Sequence, residues 1–169
     1  SRGKKGDDPV ILNAVGRAIS TTYDVKEKKG GDISYAVEKL EAAAQKDPKN
    51  ADIFLNLGNA YRKAKPGEAG GLAFQNYRKA TEVNPKYAVA HHRMAQLFNT
   101  QRNWDLYEKY LNDAINADPR FAPAYYDLYY FKLLRMDFAA AEDYAKKYIA
   151  NTDPDPQNDY LRCQTLWAK

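Results

Sequence analysis

The chain has 169 residues and a formal net charge of +4, and 44% of its residues are hydrophobic and 13% aromatic. Such a composition is too rich in large apolar side chains for a disordered segment. The sequence contains no run of about 18 apolar residues that could cross a membrane. The only cysteine, Cys163, excludes an internal disulfide and a cysteine-based metal cluster.

The chain begins with the polar segment SRGKKGDD, for which we predict a disordered or expression-derived end over residues 1–8. Apolar residues then recur at helical spacing and predict helices over 9–23 and 32–46. These two helices form a divergent N-terminal unit, 9–50, with about eight extra residues before its second helix.

The next unit, residues 51–87, has the sharpest pattern, with predicted helices over 51–64 and 70–83. Its spaced residues are Phe54, Leu57, Gly58, Tyr61, Ala73, Tyr77, Ala80 and Pro85. The turn between its helices, KPGEAGG, carries about three extra residues and is rich in glycine, which permits a loose loop.

Two further units follow, at 88–121 and 122–156, and their predicted helices span 88–100, 104–117, 122–135 and 138–151. Residues 157–169 end the chain with a ninth predicted helix over 157–168. This segment is either a capping helix or the first helix of a further repeat, since Trp167 on an amphipathic helix needs a partner surface.

Asp-Pro or Asn-Pro junctions separate the units, and their prolines, Pro48, Pro85, Pro119 and Pro154, are 37, 34 and 35 residues apart. A residue that precedes proline disfavours the helix, so each junction ends one helical pair. The period, together with the pattern aromatic-x2-Leu-Gly-x2-Tyr, Ala-x3-aromatic and Pro, resembles the tetratricopeptide repeat (TPR) family. The resemblance implies an all-α, right-handed α-solenoid of antiparallel helix pairs, with about nine helices here.

The resemblance also gives a reason for Gly58, which costs a helix roughly 1 kcal/mol relative to alanine. In a TPR unit a small residue lies where the two helices cross, so we predict that Gly58 opposes Ala73 and lets the backbones approach closely. The corresponding pairs are Ala95 with Tyr107 and Tyr129 with Ala141. One small and one large residue in each pair predicts compensated packing.

Partners of TPR arrays lie along the concave surface formed by the first helices of successive units. By alignment, the predicted peptide-binding groove consists of Asn56, Asn59, Arg62, His92, Arg93, Gln96, Asn99, Tyr126 and Tyr130. Asparagine and glutamine amides both donate and accept hydrogen bonds, so they can bind an extended peptide backbone. Tyrosines add flat apolar area with a polar tip. Ordinary surface polarity is the alternative interpretation.

No enzyme or phosphate-binding motif is present, so we expect no catalytic site, cofactor, metal or small-molecule substrate. His91 occupies a core position equivalent to Phe54 and Tyr125, and we expect it to be packed. His92 should face the groove. Because adjacent helical residues point about 100° apart, the two histidines are a poor metal chelate.

The main hypothesis is therefore a non-catalytic interaction scaffold that binds a peptide segment or protein surface in the groove and does not itself insert into a membrane. One alternative is a structural spacer within a longer array. Another is an RNA-binding helical repeat, which interleaved acidic residues disfavour. The tyrosine- and asparagine-rich units with Asp-Pro junctions resemble TPR proteins of bacterial cell envelopes. This resemblance weakly favours a periplasm-facing location, and the compartment is otherwise unknown.

Some TPR proteins grip a C-terminal carboxylate with a Lys/Asn/Asn/Lys/Arg set. Asn56 and Arg93 match two places of that set. The other three places hold Asn13, Arg17 and Val89, so both lysines are missing. This departure argues against the dicarboxylate clamp of those relatives.

Overall fold

The computed structural model describes residues 7–64 and 69–153, and these fold into eight α-helices. The helices are α1 (Pro9–Thr22), α2 (Ile33–Lys46), α3 (Ala51–Ala64), α4 (Ala69–Val83), α5 (Ala88–Thr100), α6 (Trp104–Ala117), α7 (Ala122–Leu134) and α8 (Phe138–Ala150). Each lies within one residue of its predicted bounds at both ends. The ninth predicted helix, 157–168, lies outside the described residues.

Consecutive helices form four packed pairs, α1–α2, α3–α4, α5–α6 and α7–α8, and each pair packs against the next through α2–α3, α4–α5 and α6–α7. Over the described ranges there is no β-strand, only an isolated backbone bridge between Asp24 and Lys29. The predicted all-α array of helix pairs is thereby confirmed. Because each pair contacts only its neighbours, the core is a continuous spine rather than a single centre.

The turns between units repeat the same hydrogen bonds. The Asn84 side chain accepts from the backbone N–H of Lys86 at 3.1 Å, and the Asp118 side chain accepts from that of Arg120 at 2.9 Å. Each acceptor immediately precedes a junction proline, and its own backbone N–H ends the preceding helix on a carbonyl four residues earlier. The junctions at Pro85 and Pro119 therefore use the same turn.

A second turn recurs inside the third and fourth pairs. Arg102 and Met136 adopt left-handed backbone conformations, with φ of 56° and 59°. The residues that follow, Asn103 and Asp137, cap α6 and α8 by accepting a backbone N–H at 3.3 Å. These two turns reverse the chain within each pair and fix where the second helix begins.

The extra residues of the N-terminal unit form a compact loop between α1 and α2. The Asp24 carboxylate accepts from the backbone N–H groups of Lys26 and Glu27 at 2.7 and 2.9 Å. These bonds lower the pKa of Asp24. The insertion therefore closes on itself and leaves the pairing of α1 with α2 intact.

Gly58 lies where α3 crosses α4, as predicted, but its main neighbour is Tyr77 rather than Ala73. A Cβ atom on Gly58 would lie 2.4 Å from Tyr77 Cε1 and 3.1 Å from the Ala73 carbonyl oxygen. Gly16 repeats this arrangement in the first pair, where a Cβ atom would lie 2.4 Å from Leu40 Cγ. The large side chain of the second helix thus fills the space that each glycine leaves.

In the last pair, the large and the small side chain at the helix crossing exchange helices. Tyr129, 1% exposed, packs against Ala141 and Ala145 of α8 in one buried cluster. The large side chain now comes from the first helix and the small ones from the second. A tyrosine ring thus fills the crossing in both pairs, but it comes from the second helix in one pair and from the first helix in the other. The predicted pairing of Tyr129 with Ala141 is confirmed.

His91 is half-buried on α5, and its Nδ1 atom has no hydrogen-bond partner among the described residues. Burial lowers the pKa of the imidazole below its ordinary value of 6.5. Lys109 acts in the same direction, whereas Asp113 and a backbone hydrogen bond with Pro85 oppose it. The charged ring is therefore disfavoured in the folded chain.

We expect this histidine to make the protein less stable in mild acid. Because the unfolded chain binds the proton more tightly, the contribution of the neutral ring is present above about pH 6.5 and is lost as the pH falls through the lowered folded pKa. His91→Gln should weaken the dependence of the urea midpoint on pH between 7.5 and 5. An unchanged dependence in the folded variant would contradict the assignment.

Candidate functional site

The predicted groove residues come from the first helices of successive pairs, and two side-chain hydrogen bonds join these helices directly. Asn56 on α3 donates to Asn13 on α1 at 2.9 Å. His92 on α5 bonds to Asp127 on α7 at 2.8 Å between Nε2 and Oδ2. We call the side of the array formed by α1, α3, α5 and α7 its inner surface; the predicted residues belong to the last three of these helices.

One cavity on this surface, of about 180 Å³, lies between α1, α3 and α5. We call it the polar pocket. Its lining residues are Ser20, Thr21, Asn56, Asn59, Arg62, Lys63 and Arg93. Three are cationic, and no carboxylate is among them.

Both arginines of the polar pocket act on a buried tyrosine beside it. Tyr77 is fully buried, and its hydroxyl donates to Asn59, a lining residue of the pocket, at 2.9 Å. Burial raises the pKa of Tyr77 to about 12, against an opposing effect of Arg62 and Arg93. Both guanidinium groups are therefore close enough to act on one hydroxyl.

Among the described residues, no carboxylate accepts a hydrogen bond from the cations of the polar pocket, although the charges of Lys63 and Asp24 interact. Lys63 donates to the carbonyls of Thr21 and Tyr23 at 3.2 and 2.8 Å, which ties α3 to the end of α1. Arg93 donates to the Gln96 side chain at 2.8 Å, and its Nε atom is buried without an acceptor. Uncompensated guanidinium groups beside amides give the pocket a positive potential that favours an anion.

A second cavity, of about 410 Å³, lies between α5, α6 and α7. We call it the aromatic pocket. Its lining residues are Asn99, Trp104, Tyr107, Tyr126, Asp127, Tyr130, Phe131 and Leu134. It therefore combines a large aromatic surface with a single carboxylate.

The two pockets contain most of the predicted groove residues. Asn56, Asn59, Arg62 and Arg93 line the polar pocket, and Asn99, Tyr126 and Tyr130 line the aromatic one. Gln96 and His92 line neither. The expectation that His92 faces the groove is wrong, because the residue is buried, with 8% of its surface exposed. Its ring packs edge-on against that of Phe121, with the two centroids 5.4 Å apart.

Alignment of the first helices missed the residues that enter the pockets from elsewhere. Trp104 and Tyr107 come from the start of α6, a second helix, and Lys63 lies one position beyond the aligned slot that contains Arg62. The signal in the sequence that could have pointed to Trp104 is the place of this tryptophan at the start of a predicted helix.

Within residues 7–64 and 69–153, no helix is long and apolar enough to span a membrane. Over the same ranges, no three histidine, cysteine or acidic side chains are grouped so that they could hold a metal ion.

The repeated helix pairs and their shared inner surface define a helical-repeat protein of the solenoid class. A family model described as TPR repeat matches residues 27–64, which include α2 and α3. No curated relative matches the sequence. The match covers less than half of the chain, and together with the fold it supports the resemblance to the tetratricopeptide repeat family seen in the sequence.

Several solved structures have a similar fold at low sequence identity. A structure described as a crystal structure of MamA is 20% identical, with a TM-score of 0.66 and coverage of 87% of this chain and 80% of the other. PilF of Pseudomonas aeruginosa is 12% identical, with a TM-score of 0.74 and coverage of 96% and 69%. TTC0263, a thermophilic TPR protein of Thermus thermophilus, is 19% identical, with a TM-score of 0.70 and coverage of 97% and 82%. At these identities the likeness concerns the fold alone.

Proposed function

We propose that the protein is a non-catalytic interaction scaffold whose inner surface binds an extended peptide segment of a partner protein, with an acidic group of that segment in the polar pocket. The observation that carries this proposal is the convergence of Arg62 and Arg93, from successive first helices, on a cavity lined by amides and by no carboxylate. TPR repeats usually mediate contacts between proteins, which is consistent with this role.

The chemistry of the polar pocket suits a carboxylate on a peptide. A guanidinium group can donate two parallel hydrogen bonds to a carboxylate, and such charge-assisted bonds are stronger than neutral ones. The amides of Asn56 and Asn59 can bind the adjoining backbone, although both already bond within the protein. Four first helices about 10 Å apart span roughly 30 Å, enough for about nine residues of extended chain.

The charge distribution favours a protein over a nucleic acid as the partner. Many surface cations are paired with neighbouring acids, as in Lys109–Asp113 at 3.1 Å and Lys147–Asp143 at 2.6 Å. A nucleic-acid surface instead needs a contiguous stripe of unpaired basic residues along the phosphate backbone. The three cations of the polar pocket instead line one cavity of about 180 Å³, which has room for a single acidic group and not for a stretch of phosphate backbone.

The proposal is tested with peptides selected from a random library on the full chain and measured by calorimetry. We expect Arg62→Ala and Arg93→Ala each to weaken binding about tenfold or more, which corresponds to about 1.4 kcal/mol. Arg78→Ala is the matched control, because Arg78 is paired with Glu82 on α4 and its loss removes the same charge away from the groove. We expect its effect to be less than about twofold.

Asn59→Ala is a poor test because it also removes the acceptor of the buried Tyr77 hydroxyl. Folding of each variant is checked by circular dichroism before binding is measured. If selected peptides bind the folded Arg62→Ala and Arg93→Ala variants as tightly as the parent, the polar pocket is not the binding site. That result would favour the spacer role.

A further inference from the structure

We propose that the aromatic pocket binds a basic side chain, lysine or arginine, of a protein partner. The inference rests on the proposed function in one respect, that the partner lies along the inner surface. It adds a second contact at the other end of that surface. There the aromatic pocket favours a cation, whereas the polar pocket favours an anion.

The aromatic side chains of this pocket form one connected cluster. The ring centroids of Tyr107 and Phe131 are 5.4 Å apart, and Trp104 lies 6.4 Å from Tyr107 and 6.1 Å from Phe131. Tyr126 and Tyr130 complete the lining from α7. The faces of such rings carry negative electrostatic potential and attract a lysine or arginine cation.

One charged side chain lines the aromatic pocket, and it is negative. The Asp127 side chain is 26% exposed, and its Oδ2 atom bonds to His92 at 2.8 Å. Burial raises the pKa of the Tyr107 hydroxyl, and the Asp127 charge raises it further, so the field of the carboxylate reaches the pocket wall. Tyr107 itself is 6% exposed.

The nearby cations of the protein lie outside this pocket. Lys132 is paired with Glu108 at 2.6 Å. Arg135 lines a smaller adjoining cavity, of about 180 Å³, and lies 4.9 Å from the centroid of the Phe131 ring. Phe131 therefore already lies beside the Arg135 guanidinium and the Lys132 ammonium, the latter 5.7 Å from its centroid, which leaves Trp104 and the tyrosines as the aromatic surface for an external cation.

The carboxylate decides between a basic and an apolar occupant. A purely apolar side chain would desolvate Asp127 without supplying a compensating charge, which is unfavourable. The methylene chain of lysine packs on aromatic rings, and its ammonium group can reach the carboxylate. A cavity of about 410 Å³ is large enough for either basic side chain.

The test compares two small probes that differ only in the ammonium group, Nα-acetyl-lysine methylamide and Nα-acetyl-norleucine methylamide. Binding is followed at pH 8 by NMR of the Trp104 indole. The full chain carries Trp167→Phe, because it has two tryptophans. We expect saturable binding of the lysine probe, at least about fivefold tighter than that of norleucine.

Asp127→Asn should abolish this preference, since the amide can still bond to His92 while the charge is lost. Asp143→Asn is the matched control, because Asp143 is paired with Lys147 on α8 and carries the same charge away from the pocket. Equal binding of both probes, or a preference that survives Asp127→Asn, would overturn the inference. The proposed function is judged separately by the Arg62 and Arg93 variants, whose effect does not depend on these probes.

Discussion

Replacing Gly58 with alanine is expected to lower the free energy of unfolding by about 2 kcal/mol, even though alanine is the better helix former. The new Cβ atom would lie 2.4 and 2.6 Å from Tyr77 Cε1 and Cδ1. The Tyr77 ring cannot move aside freely, because it is fully buried and its hydroxyl bonds to Asn59. Overpacking at the crossing of α3 and α4 therefore outweighs the gain in helix propensity.

Gly71→Ala is the matched control, because Gly71 is also helical and a Cβ atom there would have no neighbour within 4 Å. We expect this variant to be unchanged or more stable by about 0.5 kcal/mol. Both variants are compared with the parent by urea unfolding followed with circular dichroism. A Gly58→Ala protein as stable as the Gly71→Ala protein would show that the close approach does not contribute to stability.

The fold could be predicted from the sequence because its signals are local and repeated. The junction prolines Pro85 and Pro119 follow an Asn and an Asp that form the same turn, so the helix bounds there follow directly. What could not be predicted is how each crossing is filled. Gly58 was expected to face Ala73, but the ring of Tyr77, one turn further on, reaches into the space.

The inner surface could be predicted only in part. Positions on the first helices follow from the repeat, so Arg62, Arg93 and Tyr130 were found by alignment. The burial of His92 depends on a bond to Asp127, 35 residues away, which no local pattern reveals. Trp104 enters the aromatic pocket from a second helix, a contribution that depends on how neighbouring pairs are stacked.

Tyr129→Ala is expected to cost about 3 kcal/mol or more, because the ring fills the space between α7 and α8 that Ala141 and Ala145 leave open. Removal of the ring leaves small side chains on both sides of the crossing, and neither helix can supply the lost volume. Tyr130→Ala is the control on the same helix. Tyr130 is 50% exposed, so we expect its truncation to change stability by no more than about 0.5 kcal/mol.

A double-mutant cycle tests whether volume at this crossing is exchanged between the helices. Ala141→Leu alone should destabilise the protein by about 1–3 kcal/mol, because Tyr129 already occupies the space. In the Tyr129→Ala background the same leucine should refill the gap, so the double variant should be more stable than the sum of the single effects by at least about 1 kcal/mol. Additive effects in urea unfolding would show that the two positions pack independently and that the exchange of sizes between repeats has no energetic basis.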